Sequence, residues 1–272
     1  MKDSINRRSF LLRMAGLTGG ALLMNSNLFG SSLSEKGDNT PLEFAAISDL
    51  HHENEECDAW FRKLFADIAA SKAEFALVLG DIANSGKRYS FQKIKDLAAE
   101  YEVPIFTTPG NHDCDLTNTT EVYEEYFPNR LNYSFTRKGW QFIVMDSSDG
   151  TKWEKVNIKD STLLWLDDEM ELLDPSLPTV VMTHFPVFHE APYTLLNGEE
   201  IVKRLQHFNL QLTLSGHYHG KTEYHEDETT LYTQICVSRY SHNHDGTAYK
   251  GYHHYKCYPD GKWENKLIKF QA

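Results

Sequence analysis

Four cysteines in 272 residues are too few for a disulfide-stapled scaffold, and they are too scattered for a thiolate-rich zinc cluster. Cationic side chains are also scarce, with 27 Lys and Arg against 39 Asp and Glu. The net charge is -12, and the residues beyond position 34 carry about -15. With no basic stripe to offset it, such a body repels nucleic acid and anionic membrane, so no nucleic-acid partner is expected. The chain has no low-complexity tract and no visible internal repeat, which argues against a disordered or solenoid protein. Beyond the N-terminal segment no apolar run is long enough for a membrane span, so the mature chain is expected to have no transmembrane domain. Its length suits one substantial α/β domain, here bounded at residues 35–272.

The apolar pattern supplies the elements. LEFAAIS (42–48), EFALVLG (74–80) and VPIFTTPG (103–110) read as buried strands. Between them, Trp60, Phe61, Leu64, Phe65 and Ile68 recur at helical spacing, as do Phe91, Ile94 and Leu97. Strand, helix, strand, helix, strand implies parallel strands with crossover helices, and such sheets collect their chemistry beyond the carboxyl ends of the strands. A short helix is expected at 119–127, then two strands turning at Lys138–Gly139. An amphipathic helix comes next at 162–173, then a strand at 177–186, a helix at 199–208 and a strand into residue 217. Further strands cover 221–226, 230–237, 251–258 and 263–270. The expectation is a single α/β domain of two mixed sheets packed face to face with helices outside. Of the cysteines, Cys236 and Cys257 fall on expected neighbouring strands. Either they pair, or all four, with Cys57 and Cys114, stay free and buried. Cys114 lacks a His/Asn arrangement and is not read as a nucleophile.

Five polar segments end five of these apolar runs. They are SDLHH (Asp49, His51), LGDIAN (Asp81), PGNHDC (Asn111, His112, Asp113), VMTHFP (His184) and SGHYHG (His217, His219). A lone histidine at a strand end is usually structural. Gathering this many carboxylates and imidazoles at one sheet edge without cations would bury like charges and unpaired polar atoms together. Carboxylate, imidazole and amide oxygen donors suit manganese, iron or zinc.

In these segments the chain resembles the calcineurin-like metallophosphoesterase superfamily, whose pattern is D-x-H, G-D, G-N-H-D/E, H and G-H-x-H in this order. The resemblance implies a four-layer α/β/β/α sandwich and two metal ions. One ion would be held by Asp49, His51, Asp81 and His219, the other by Asp81, Asn111, His184 and His217, with Asp81 bridging. It implies in-line attack on phosphorus by a metal-bridging hydroxide. His112 would serve the leaving-group oxygen, and Asp113 would either orient it or cap the adjoining turn. Asn84 stands where purple acid phosphatases place a tyrosine, which disfavours that branch. LGDIANSGKRYSF is closer to the cyclic-nucleotide phosphodiesterase branch. His189 and Arg239 are candidate substrate contacts. The resulting expectation is hydrolysis of a small-molecule phosphate ester, with diesters ahead of monoesters such as sugar phosphates, nucleotides or phosphoproteins. A catalytically silent envelope binding protein on the same scaffold is the alternative from another class.

Residues 1–34 carry NRRSFL and a short Gly/Ala/Leu-rich stretch, and are similar to a twin-arginine export signal. They imply an exported protein of a bacterial periplasm or cell envelope.

Overall fold

In β1 (Leu42–Ile47) successive side chains point to opposite faces, and both faces are apolar. Leu42, Phe44 and Ala46 enter one core, while Ala45 and Ile47 enter another. β2 (Ala76–Leu79) and β3 (Ile105–Thr108) continue this parallel arrangement. β10 (Lys250–Cys257) and β11 (Trp263–Phe270) add to the other edge antiparallel, giving the order β11-β10-β1-β2-β3. The computed structural model describes residues 40–226 and 228–270; the twin-arginine segment and the boundary at residue 34 lie outside them.

The outer face of this sheet is covered by α1 (Asp58–Ala70), α2 (Arg88–Glu100) and α3 (Glu121–Tyr126). In α1 the buried residues are Phe61, Leu64, Phe65 and Ile68, the stripe read from the sequence. A second sheet contains β4 (Tyr133–Arg137), β5 (Trp140–Val144), β6 (Thr179–Met182), β7 (Leu210–Ser215), β8 (Thr222–Glu226) and β9 (Thr229–Thr233). Its order is β4-β5-β6-β7-β9-β8, with β5, β6, β7 and β9 parallel. α4 (Asp160–Met170) and α5 (Glu199–Leu205) cover its outer face through Leu163, Leu166, Ile201 and Leu205. The turn between β4 and β5 has Lys138 and Gly139 at φ 46° and 79°, the two-residue hairpin geometry expected there.

Between the sheets lies an aromatic layer. Phe142 stacks on Phe135 (centroids 4.7 Å apart) and meets Phe44 edge-on at 5.5 Å, and Phe44 stacks on Tyr255 at 5.0 Å. The architecture is therefore helices, sheet, sheet, helices, as expected. Among the described residues no helix is long and apolar enough to cross a membrane.

The differences from expectation lie at element ends. The helix expected at 199–208 stops at Leu205, and the strand expected to run to Val237 leaves the sheet after Thr233. It does so because the chain crosses over the end of β1. The Val237 N–H donates to the Ser48 carbonyl at 3.0 Å, and Trp60 Nε1 donates to the Val237 carbonyl at 2.8 Å. The expected neighbouring of the two cysteine-bearing strands also fails, because β9 lies in the second sheet between β7 and β8 while β10 lies in the first between β11 and β1. The disulfide does not form, and all four cysteines are free and buried. The Cys236 thiol meets Lys250 Nζ at 2.9 Å, while Cys257 packs between the sheets.

Phe142 touches both sheets' aromatic rows, so its removal leaves a cavity that neither sheet can fill alone. Phe142→Ala is expected to cost about 3–5 kcal/mol in urea unfolding, the range for a buried phenylalanine. A loss under about 1 kcal/mol, ordinary for any position, would show that the layer does not hold the sheets together.

Candidate metal and catalytic centre

The donors come from loops at the carboxyl ends of β1, β2, β3, β6 and β7, where both sheets meet. Asp49 and His51 come after β1, Asp81 after β2 and Asn111 after β3. His184 comes after β6, and His217 and His219 after β7. The β1 and β2 loops carry the parallel ladder past the strand ends. Asp49 N–H donates to the Gly80 carbonyl, His51 N–H to Asp81 and His52 N–H to Ile82, at 2.9–3.3 Å. Asp49, His51, Asp81, His217 and His219 all adopt left-handed backbone, with φ between 47° and 66°. Side chains with a Cβ rarely settle there, so these loops hold a cost of order 1 kcal/mol or more per residue to aim the donors inward. Two glycines permit the close approach. A Cβ on Gly80 would lie 2.5 Å from His184 Nδ1, and one on Gly110 would lie 2.1 Å from Asp81 Oδ1.

Two donor groups result, Asp49, His51, Asp81 and His219 in one, and Asp81, His184 and His217 in the other. They share Asp81. In the first, His51 Nε2 lies 3.0 Å from His219 Nε2, and His219 Nε2 lies 3.2 Å from Asp49 Oδ1. Asp81 Oδ2 lies 3.6 Å from His51 Nε2 and 3.4 Å from His184 Nε2. Asn111 Oδ1 joins the second group at 3.2 Å from His184 Nε2. Two donors each about 2.1 Å from one cation would be separated by roughly 3.0–3.4 Å, so the spacing fits divalent metal.

The partners of the far ring nitrogens also fit. His184 Nδ1 is 2.8 Å from the Leu79 carbonyl and His219 Nδ1 is 3.1 Å from the His242 carbonyl. A proton held there leaves the Nε2 lone pair for a metal. His217 is turned the other way, with Nε2 2.7 Å from the Trp153 carbonyl, which leaves Nδ1 as its donor. His51 Nδ1, although buried, has no hydrogen-bond partner among the described residues.

Charge in this cluster is tightly opposed. Burial alone would raise the Asp49 pKa, but His219 and His184 beside it hold it down to about 2. Burial would lower His219, yet the Asp49 carboxylate outweighs it and lifts the imidazole to about 11. His184 is likewise raised, against burial, to about 9 by Asp81. For His51 and His217 burial prevails and the values fall to about 4.

His112 stands at the open side of the cluster, exposed, with its ring edge-to-face with His51 at 4.6 Å. Its backbone is pinned from both ends. Its N–H donates to Asp81 Oδ1 at 2.9 Å, and its carbonyl accepts from Ser85 and Gly86. Asp113 is fully buried and caps this turn. Its carboxylate accepts from the Ala83 and Gly110 N–H groups at 2.8 and 2.9 Å. Burial, then the nearby Asp81 charge, pushes its pKa up to about 7. The hydrogen bonds of Asp113 are those of the capping reading.

The other sequence candidates are spread around the rim. His189 is exposed and lies 3.7 Å from Glu199. Arg239 donates to the Glu56 carbonyl and lies over the Tyr240 ring. His52 is buried between Ser90 and Asp58 and is structural. Tyr89 donates to the same Asp58 carboxylate. Three contributors escaped the sequence reading. Ser48 Oγ donates to Asp49, and Ser147 Oγ accepts the His184 and Phe185 N–H groups. The third is the Trp153 carbonyl. A serine before Asp49 was visible, but nothing in its neighbours marked its direction.

A family model described as calcineurin-like phosphoesterase matches residues 42–221. The chain belongs to this family. It is a metal-dependent phosphoesterase, and both donor clusters lie within the matched residues. Among curated proteins it is similar to a 3',5'-cyclic-nucleotide phosphodiesterase of Nostoc sp., with 24% identity over 249 residues, covering 84% of this chain and 92% of that one. It is also similar to the glycerophosphodiester phosphodiesterase GpdQ of Enterobacter lignolyticus, with 24% identity over 80% of this chain and 93% of that one. A dimetal phosphatase from Danio rerio shares the fold, with a TM-score of 0.61 at 13% identity, covering 85% of this chain and all of the other.

With His184 near 9 and His219 near 11, both rings carry a second proton, on Nε2, at pH 7 before a cation enters. Loading must displace these protons, so apparent metal affinity rises with pH through about 9 for His184 and on to about 11 for His219. Zinc titration by calorimetry at pH 7 should release about two protons, seen as a heat that scales with the buffer's ionisation enthalpy. A heat independent of buffer would refute the charge state assigned to this pair.

Proposed function

We propose that the protein hydrolyses small-molecule phosphodiesters at a binuclear centre, and that it works outside the cytoplasm. The observation that carries the binuclear reading is Asp81, one carboxylate shared by two donor groups. When bound there, two cations supply charge against the phosphoryl oxygens and lower the pKa of a coordinated water. The protein's own part is to hold the ester and to manage the leaving group. The Asp81 carboxylate fixes the His112 main chain, so the imidazole faces the open side without a large rotameric search. From there it can give a hydrogen bond or proton to the departing oxygen, whose charge grows as the bond to phosphorus lengthens. Asp113 acts through position, tying the turn that bears His112 to the turn that bears Asp81.

Diesters are favoured over monoesters by relatives named for cyclic-nucleotide and glycerophosphodiester cleavage. The wall around the centre agrees: among the described residues bonded or stacked with its donors there is no lysine or arginine to meet the second negative charge of a monoester. The proposed external location rests on the paired arginines Arg7 and Arg8 ahead of a short apolar stretch.

Manganese-, zinc- and iron-loaded protein should cleave bis-p-nitrophenyl phosphate faster than p-nitrophenyl phosphate. His112→Ala should retain its metal and lose about 10²–10⁴-fold in kcat on esters with poor leaving groups, the usual worth of a placed acid. Dominant monoester cleavage would overturn the diester reading, and an unimpaired variant would remove His112 from the chemistry.

Residues 1–36 fused to a reporter that is active only after folded export should carry it across a bacterial inner membrane, and Arg7→Lys/Arg8→Lys should stop it. Transport unaffected by the paired change would exclude the twin-arginine route.

A further inference from the structure

One flank of the centre is walled by aromatic rings that hydrolysis itself does not use. Trp153 is 55% exposed, yet its carbonyl is the partner of His217 Nε2. Tyr193 is 40% exposed, with its ring 5.8 Å from that of Trp153 and 5.9 Å from that of His217. His244 continues the surface, 6.4 Å from Tyr193 and 5.3 Å from His219. Large exposed rings next to one another cost solubility and add little to the core, so their placement needs another reason.

Both loops are fixed. Asn118 Oδ1 accepts the Thr151 N–H at 2.7 Å and its hydroxyl at 2.9 Å. Beyond Tyr193, Thr194 Oγ1 and the Leu195 N–H both donate to the Pro186 carbonyl, at 2.8 and 2.9 Å. Tyr193 itself is held at φ 57°, a backbone conformation that a tyrosine does not choose when free. Strain of this kind in an exposed ring beside a reaction centre marks a position maintained for contact.

We propose that Trp153 and Tyr193 form a stacking subsite for the base of a nucleoside phosphate ester whose phosphoryl group lies at the Asp49–Asp81 donors. The choice of ester rests on the phosphodiester reading above; the subsite itself does not. One sugar separates a base from its phosphate, and the ring of His217, itself a donor, lies 5.9 Å from Tyr193 and 5.1 Å from the ring of His184. Every base offers a planar face, so stacking recognises the class without hydrogen-bond readout. Aromatic walls also receive quaternary ammonium groups. Asp81, His184 and His217 would hold a cation next to this wall, and its positive charge would disfavour a cationic headgroup and leave a neutral ring unopposed.

The test compares adenosine 3',5'-cyclic phosphate with glycerophosphocholine, using zinc-loaded wild type, Trp153→Ala, Trp153→Phe and Tyr193→Ala. Loss of one base–ring stack is worth roughly ten-fold, so Trp153→Ala should lower the ratio of kcat/KM for the nucleotide to that for the choline ester about ten-fold. The loss should fall on KM rather than kcat, and Trp153→Phe should recover most of it. A second readout needs no turnover. By tryptophan fluorescence or calorimetry, adenosine 5'-monophosphate should bind the wild type about ten-fold more tightly than ribose 5-phosphate, a gap that Trp153→Ala closes. Equal binding of the two ligands by the wild type, a parallel fall for both diesters, or a larger fall for the choline ester would overturn the subsite. If the wild type cleaves neither diester, the diester reading fails, and the comparison of the two monophosphates still decides the subsite. Zinc content measured on each variant separates a lost stack from a displaced His217.

Discussion

Two carboxylates, Asp49 and Asp81, lie fully buried in one pocket, and the surroundings are arranged to make that tolerable. An unpaired buried anion costs far more than the net stability of a domain can absorb. Each is met by main-chain N–H groups from a distant segment, His112 to Asp81 and His217 to Asp49. Imidazoles close the rest of the shell. The same groups that reconcile the charges also define the donor set, so the electrostatic solution and the metal site are one construction. Removing a single imidazole therefore does two things, deleting a donor and leaving a carboxylate under-compensated.

That construction spans both sheets, which explains the form of the fold around it. The first sheet supplies Asp49, His51, Asp81 and Asn111, and the second supplies His184, His217 and His219. The aromatic layer around Phe44 and Phe142 sets the separation of the sheets, and His184 Nδ1 on the Leu79 carbonyl fixes their alignment at the active edge. A shift of one sheet by a single pleat would break both donor groups, because each draws donors from loops of both sheets.

Much of this was legible in the sequence because buried parallel strands read as apolar runs, and the residues just past each run land on one edge. Asp49, Asp81, Asn111, His184, His217 and His219 were all found this way, and the structure gathers them. The stripe Phe61, Leu64, Phe65, Ile68 likewise fixed its helix. The illegible part depends on where loops travel. Nothing near Trp153 or Tyr193 in the chain says that two segments forty residues apart will lean together beside His217. The apolar run into Val237 reads as strand to its end, but its last hydrogen bond is to Ser48 and not to a ladder. The Cys236–Cys257 pairing failed because β9 and β10, consecutive in sequence, belong to different sheets. Asp113 could be read as orienting group or cap, and only the donors aimed at it decide between them.

The contact between His51 and His219 joins residues 168 positions apart. Segments so far apart meet only after the loops between them have closed, and that closure is among the slowest parts of folding. A chain emerging from the ribosome presents its Asp49, His51 and Asp81 long before β7 exists. At that stage it owns half a chelator, able to hold any passing cation loosely and none selectively. The complete donor set thus exists only once the loop after β7 has reached the loop after β1.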